Sequence, residues 1–197
     1  MEKFIVKSAG VTDLVYIQDV VDAIFEASQH KGTGIAIRTP EYIKGKILEG
    51  KAIIAVTEKG DWAGFCYIES WGHNKFVANS GLVVSTKFRG HGLAHAIKEK
   101  AMNLSLNLFP GAKLFGLTTS LAVMKINSDL GYRPVTFSEL TDDLEFWKGC
   151  ESCPYYDILV RTRRSHCLCT SMLLDPVKQN KEADSAKLKS EKITILT

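Results

Sequence analysis

Apolar and polar positions alternate along this chain in a way that changes period several times. Phe4-Ile5-Val6-Lys7-Ser8 is short and β-rich and reads as a first strand. From Val11 to Gln29 the apolar positions Leu14, Ile17, Val21, Ile24 and Phe25 follow a helical period. Residues 30–39 hold Gly32 and Gly34 and read as a loop. Thr39-Pro40-Glu41 then supplies an N-cap hydroxyl, a proline at the first helical position and an acid in the first turn, so a second helix is predicted to run to just before Gly50. Three strands are predicted next, at 52–56, 63–71 and 76–84, parted by the turns Gly60-Asp61 and Gly72-His73-Asn74-Lys75.

Leu93, Ile97, Ala101, Leu104 and Leu108 mark one face of a long helix, which Pro110-Gly111 stops. Residues 113–118 form the next predicted strand. A helix from Leu121 to Leu130 is closed by Gly131 at its C′ position. Residues 132–137 are strand-like, and one further strand is expected near Tyr156 to Arg161. Gln179 to Lys192 has few apolar anchors and is expected to be loose. The order β-α-α-β-β-β-α-β-α-β, with a cysteine-rich addition, predicts a mixed α+β layer structure. It divides into a core over residues 3–137, an addition over 138–176 and a tail from 177, all within one domain over 1–176.

Composition adds bounds. The chain has 197 residues, 45% of them apolar and 24% charged, enough for a real hydrophobic core. No apolar run approaches the roughly 18–20 residues that span a membrane. The start, Met1-Glu2-Lys3-Phe4, does not read as a signal peptide, so a cytoplasmic protein with no membrane partner is expected. A net charge of +3 gives no case for nucleic acid, and Arg161-Thr162-Arg163-Arg164 reads as a solvated face. Of five cysteines, Cys150, Cys153, Cys167 and Cys169 lie within twenty residues. Four thiolates are enough for one tetrahedral zinc, although the second pair is tighter than the usual spacing. Free thiols and redox use are the alternatives. Cys66 sits in an apolar strand as a small core residue.

The chemistry concentrates at Lys87-Phe88-Arg89-Gly90-His91-Gly92-Leu93-Ala94. A strand that turns through Arg-Gly-x-Gly into a helix presents backbone amides and a helix N-terminus to an anion, and a diphosphate suits it. The loop follows the fourth predicted strand, not the first βα turn where a dinucleotide fingerprint belongs. With Val84-x-x-x-x-Arg89-Gly90-x-Gly92 in that place, and the segment Asn127-Ser128-Asp129-Leu130-Gly131-Tyr132 downstream, the chain resembles the GNAT family of N-acetyltransferases over about residues 3–137.

The resemblance implies a mostly antiparallel central sheet flanked by helices, and acetyl-CoA or another acyl-CoA as co-substrate. Amides of Arg89, Gly90, His91, Gly92, Leu93 and Ala94 would hold the pyrophosphate. The backbone of Leu82, Val83 and Val84 would pair with the pantetheine arm, and an amide near Val83 or Val84 would receive the oxyanion. Where many members place a tyrosine as the acid for the leaving thiolate, this chain has Asn127, which is assigned to cofactor contact; the acid stays unassigned. Tyr132 reads as packing, and His91 and His95 as flanking the phosphates.

A narrower resemblance rests on residues 32–42 and on Phe146-Trp147-Lys148-Gly149-Cys150 with the later cysteines. It implies a bacterial subgroup, linked to arginine biosynthesis, that acylates the α-amine of glutamate. It also points to candidates on the acceptor side. Arg38 would clamp a carboxylate through two donors, or is a surface arginine beside a helix start. Lys31 assists or is solvated. Glu69, on the face it shares with Tyr67, would take the amine proton directly or through water, or faces solvent. Thr118 binds substrate oxygen or serves strand-end chemistry. His73 is a weaker candidate in a turn. The expected partner is a small amine, with a homodimer as the oligomer considered. Rival readings are acetylation of a protein, peptide or antibiotic-like amine, and a non-catalytic acyl-CoA sensor.

Overall fold

The computed structural model describes residues 2–30 and 32–179. Seven strands form one sheet: β1 (Phe4–Ser8), β2 (Ala52–Thr57), β3 (Trp62–Trp71), β4 (Phe76–Val84), β5 (Lys113–Thr118), β6 (Arg133–Val135) and β7 (Thr170–Leu174). Their order across the sheet is β1-β2-β3-β4-β5-β7-β6. Every neighbouring pair is antiparallel except β4–β5. The helices are α1 (Ile17–Gln29), α2 (Pro40–Leu48), α3 (Leu93–Leu108), α4 (Leu121–Asp129), α5 (Leu144–Lys148) and α6 (Tyr156–Arg161). No helix among the described residues is long and apolar enough to cross a membrane.

Strand alternation sorts side chains onto two layers. On one side Ile53, Cys66, Ile68, Val77 and Leu114 meet Leu93, Ile97 and Ala101 of α3. On the other, Ile54, Val56, Phe65 and Tyr67 meet Val20 and Ile24 of α1 and Ile43 and Ile47 of α2. A third cluster, with Ala78, Phe115, Phe137, Trp147, Leu159 and Leu173, seats α5 and α6 over the β5–β7 end. The Thr39 hydroxyl accepts the Tyr42 amide at 3.2 Å, capping α2 as its sequence predicts.

β4 departs from regular pairing on both of its edges. It pairs with β5 only from Phe76 to Ala78, against Lys113 to Phe115; beyond Ala78 the two strands part. Against β3 it bulges, with Gly81 and Leu82 opposed to Cys66, and Gly81 takes φ +64°.

Several expectations are corrected. Residues 156–161 form helix α6, not a strand; only Leu159 of the segment is fully buried, and Val160 faces out. Packing of one helical face against the third cluster overrides the β-branched and aromatic composition. The first helix begins at Ile17, because Val11–Tyr16 is a tighter 3₁₀ turn in which Asp13 Oδ2 accepts the Gly10 amide at 2.9 Å. The strand at 132–137 shortens to Arg133–Val135, since Tyr132 turns into the core. β7 is an element the sequence pattern does not predict; it fills the place between β5 and β6. Lys31, and the expected loose tail beyond Gln179, lie outside the described residues.

Candidate active site

The parted strands open onto a cavity of about 710 Å³ that reaches from the α2 side of the sheet to α3 and α4. Residues 78–82 of β4 and 115–118 of β5 form its walls, and Lys98 and Asn127 also line it. Backbone groups on the facing edges of β4 and β5 past Ala78 and Phe115 make no ladder bonds to each other. Asn127 is 1% exposed, and its Oδ1 has no hydrogen-bond partner. A buried acceptor left without a donor is costly, so one is expected from a bound molecule. This edge and this acceptor fit the amide-bearing arm of an acyl-CoA.

The glycine loop lies outside the cavity wall, at the start of α3. Gly90 (φ +82°) and Gly92 (φ +76°) take left-handed backbone, and nothing lies within 4 Å of where their Cβ atoms would stand. The glycines are therefore needed for conformation, and the space their side chains would fill is open. Arg89 Nε donates to the Val84 carbonyl at 3.4 Å, and His91 Nδ1 lies 3.0 Å from the Arg89 carbonyl. These contacts fold the loop back onto the end of β4. Of the predicted strand residues, Leu82 lines the cavity; the Val83 side chain packs in the α1–α2 layer and Val84 against the α3 layer.

The acceptor side is a network of which the sequence shows only part. Tyr42 and Lys46, four apart on α2, both reach Glu69 of β3. Tyr42 donates to Glu69 Oε2 at 2.6 Å, and the Lys46 ammonium pairs with Oε1. Arg38 Nε donates to the Tyr67 hydroxyl at 2.9 Å and Nη1 to the Ile37 carbonyl at 3.0 Å. Its guanidinium stands 5.1 Å from the Tyr42 ring centre. No carboxylate pairs with Arg38 among the described residues. Burial works against its charge, yet Tyr67, Tyr42 and Glu69 outweigh this and hold it above its ordinary value. Burial first, then neighbouring Tyr67 and Glu69, pushes the Tyr42 hydroxyl up; burial does the same to Tyr67. Both phenols thus stay protonated, Tyr42 as a donor to Glu69 and Tyr67 as the acceptor of Arg38.

The loop over the cavity is tied down where Gly34 donates to Thr119 Oγ1 at 3.1 Å. A Cβ at Gly34 would meet Cys169 Sγ at 3.2 Å. Thr118 Oγ1 accepts the Ser120 amide at 3.0 Å, which is strand-end chemistry, while the residue also lines the cavity. His73 sits in its turn with φ 56°, away from the cavity.

Cys150, Cys153, Cys167 and Cys169 all line the cavity as free thiols. Among the described residues, no group of three or more His, Cys, Asp or Glu side chains is arranged to hold a metal ion. Cys167 Sγ points to the Tyr155 carbonyl at 3.8 Å, and Cys169 lies against Gly34. Burial, then neighbouring thiols, pushes Cys150 up to about 11 and Cys169 up to about 12, so both are protonated near neutrality.

Lys98, Lys46, Tyr42 and Asn79 belong to the site without being legible as such in the sequence. Lys98 does leave a signal: it stands next to Ile97 and three residues before Ala101, within the apolar face of α3. Lys46 gives one only in combination, as the i+4 neighbour of Tyr42.

No protein-family model matches the chain, and no curated protein does. Solved structures do. The N-acetylglutamate synthase of Neisseria gonorrhoeae, in complex with coenzyme A and N-acetyl-glutamate, superposes with TM-score 0.62 at 14% identity over 88% of this chain. This chain spans only 35% of that synthase. Rv2747 of Mycobacterium tuberculosis, solved with coenzyme A, gives 0.61 at 16% identity, covering 87% of this chain and 98% of its own. A GNAT superfamily phosphinothricin acetyltransferase of Sinorhizobium meliloti, in complex with AcCoA, gives 0.59 at 13%, covering 87% and 88%. At such identities the likeness establishes the fold: a mixed, mostly antiparallel sheet flanked by helices, as in these acetyltransferases.

Proposed function

We propose that this chain is an acyl-CoA-dependent N-acyltransferase whose acceptor is a small amine carrying a carboxylate, the α-amine of an amino acid such as glutamate. What carries the reading is the parting of β4 from β5 beside the orphaned Asn127 Oδ1, with the glycine loop at the start of α3 following from β4. That arrangement suits a long diphosphate ester whose amide-bearing arm lies along a strand. The neighbours solved with coenzyme A and N-acetyl-glutamate, or with AcCoA, support both halves of the reaction.

In this reading the amides of Arg89 to Ala94 hold the pyrophosphate, the β4 edge from Leu82 to Val84 aligns the arm, and Asn127 accepts one of its donors. Arg38 stays charged without a carboxylate of its own and offers Nη2 to the acceptor's carboxylate. Thr118 supplies a hydroxyl beside it. Glu69, held by Tyr42 and Lys46, is the fixed anion of the cavity; it draws in the acceptor's ammonium and takes its proton directly or through water. An amide near Val83 or Val84 receives the negative charge that develops on the thioester oxygen. The amine's attack then replaces the carbon–sulfur bond with a carbon–nitrogen bond.

The test is release of free thiol from acetyl-CoA and from succinyl-CoA across a panel of amino acids. Release with glutamate or another α-amino acid, absent with amines lacking a carboxylate, is expected. No release with any amine, despite coenzyme A binding, refutes the enzyme and leaves an acyl-CoA sensor.

A further inference from the structure

Two lysines are buried among the described residues. Lys46 has Glu69; Lys98, 2% exposed, has no carboxylate within ion-pair distance and no hydrogen-bond acceptor there. Its place is specific. Gly116 and Asn79 are the first residues beyond the last β4–β5 pair, Ala78 with Phe115. A Cβ built on Gly116 would stand 3.6 Å from Lys98 Nζ and 3.6 Å from the Asn79 carbonyl oxygen. The amine therefore lies at the closed end of the parted strands, it lines the cavity, and glycine at 116 leaves the space in front of it free.

An unpaired ammonium in a buried site costs several kcal/mol unless something compensates. The neighbours bring no counter-charge, and the Tyr132 ring offsets only part of the cost. Cys66 of β3 is a protonated thiol, Tyr132 before β6 presents its ring 5.3 Å away, and Asn127 of α4 and Gly116 of β5 bring no charge. The Tyr132 hydroxyl is already committed, donating to Asn79 Oδ1 at 2.7 Å. Asn127 lines the same cavity, and an amide has no acidic proton to give.

We propose that Lys98 is a catalytic residue that receives the sulfur end of coenzyme A and protonates it. This rests on the acyl-CoA reading of the cavity. As the amine attacks, the carbon–sulfur bond breaks with its electron pair passing to sulfur. Lys98 pairs with the resulting thiolate and gives it one proton. The neutral amine left on Lys98 regains a proton from water in the cavity, which takes up the second proton shed by the acceptor nitrogen; Glu69 already holds the first. Burial holds the Lys98 amine below its ordinary value, with Cys66 opposing this slightly, so it surrenders its proton more readily than an exposed lysine.

The experiment titrates the thiol of bound coenzyme A by its thiolate absorbance, in wild type, Lys98→Met and Lys98→Arg, beside free coenzyme A. An ammonium within about 4–6 Å lowers a thiol by about one pH unit or more. That shift is expected in wild type and Lys98→Arg and absent in Lys98→Met, with coenzyme A affinity kept in all three. Turnover in Lys98→Met falls roughly a hundredfold or more, and Lys98→Arg, charged but unable to release its proton, stays low. A wild-type thiol that titrates at or above the free value overturns the proposal without reference to any variant. So does an equal shift in wild type and Lys98→Met. Failure of coenzyme A to bind wild type overturns this proposal and the acyl-CoA reading together. A lowered thiol with no turnover on any amine overturns the catalytic role together with the transferase and leaves Lys98 only a cation that binds the thiol.

Discussion

Gly81→Ala is expected to destabilise the protein and to disturb the acceptor side at the same time. Gly81 sits in the β4 bulge at φ +64°, and a Cβ there would lie 2.5 Å from Tyr67 Cε1 and 2.9 Å from Cδ1. The ring has no easy retreat. It is 2% exposed, packed edge-on to Tyr42 with centroids 5.6 Å apart, backed by Phe65 at 6.4 Å, and held at its hydroxyl by Arg38. Left-handed backbone costs a non-glycine residue about 1–2 kcal/mol. Forcing a methyl into a packed core costs about 1–3 kcal/mol more, and the stiffer unfolded chain returns about half a kcal/mol. The net loss is about 2–4 kcal/mol, a large part of the roughly 5–15 kcal/mol that holds a domain together. Urea denaturation followed by tryptophan fluorescence measures it. Tyr67→Leu in the Gly81→Ala background separates the parts: a double-mutant cycle should show a coupling of about 1–3 kcal/mol, the ring overlap, with the backbone cost remaining. A single variant that loses less than about 1 kcal/mol, or a cycle with no coupling, refutes the account of the bulge.

Two further outcomes are expected. Arg38→Ala raises KM for a carboxylate-bearing acceptor about 10–100-fold, the worth of a charge-assisted hydrogen bond, and leaves coenzyme A affinity unchanged; an unchanged acceptor KM removes Arg38 from the site. Cys66 is fully buried, and burial pushes its thiol from 9.0 up to about 11. A value raised on folding gives stability that is complete below about pH 8.5 and lost as pH climbs towards 11. The stability gap between wild type and Cys66→Ala therefore shrinks by about 2–3 kcal/mol between pH 8 and 11 in urea unfolding, and a pH-independent gap contradicts it.

The parts of this molecule legible in the sequence are those decided locally. Thr39-Pro40 caps α2 through its own hydroxyl, Gly131 takes φ +88° to close α4, and the Leu93–Leu108 stripe faces the sheet because its period alone sets its face. The parts that are not legible are decided by partners distant in sequence. Tyr156–Arg161 is helical because one face meets the third core cluster, which no window of six residues contains. β7 exists because β5 and β6 leave a place between them. At the site, alternation correctly puts Glu69 and Tyr67 on one face, yet Glu69's two partners come from α2, more than twenty residues away. The cysteines converge on one cavity, as their crowding suggests, but the contacts they make there, with Tyr155 and Gly34, cannot be read from spacing.

The two halves of the proposed reaction meet along one stretch of β4, from Asn79 to Gly81. Asn79 turns to the α3 face, where it accepts from Tyr132 and donates to Ser105 Oγ at 3.0 Å beside Lys98. Gly81 lies against Tyr67 on the opposite face, where Arg38 and Glu69 wait. Because β5 leaves β4 at Ala78, these residues are not sealed behind a neighbouring strand, and a molecule lying along the β4 edge touches both faces. The carboxylate clamp and the proton source can then act on one acceptor and one thioester from opposite sides without sharing protons, since no hydrogen bond links the Arg38–Tyr67 and Tyr42–Glu69 pairs to the Asn79–Tyr132–Ser105 chain among the described residues. That separation suits a transfer in which one nitrogen must lose a proton while one sulfur gains one.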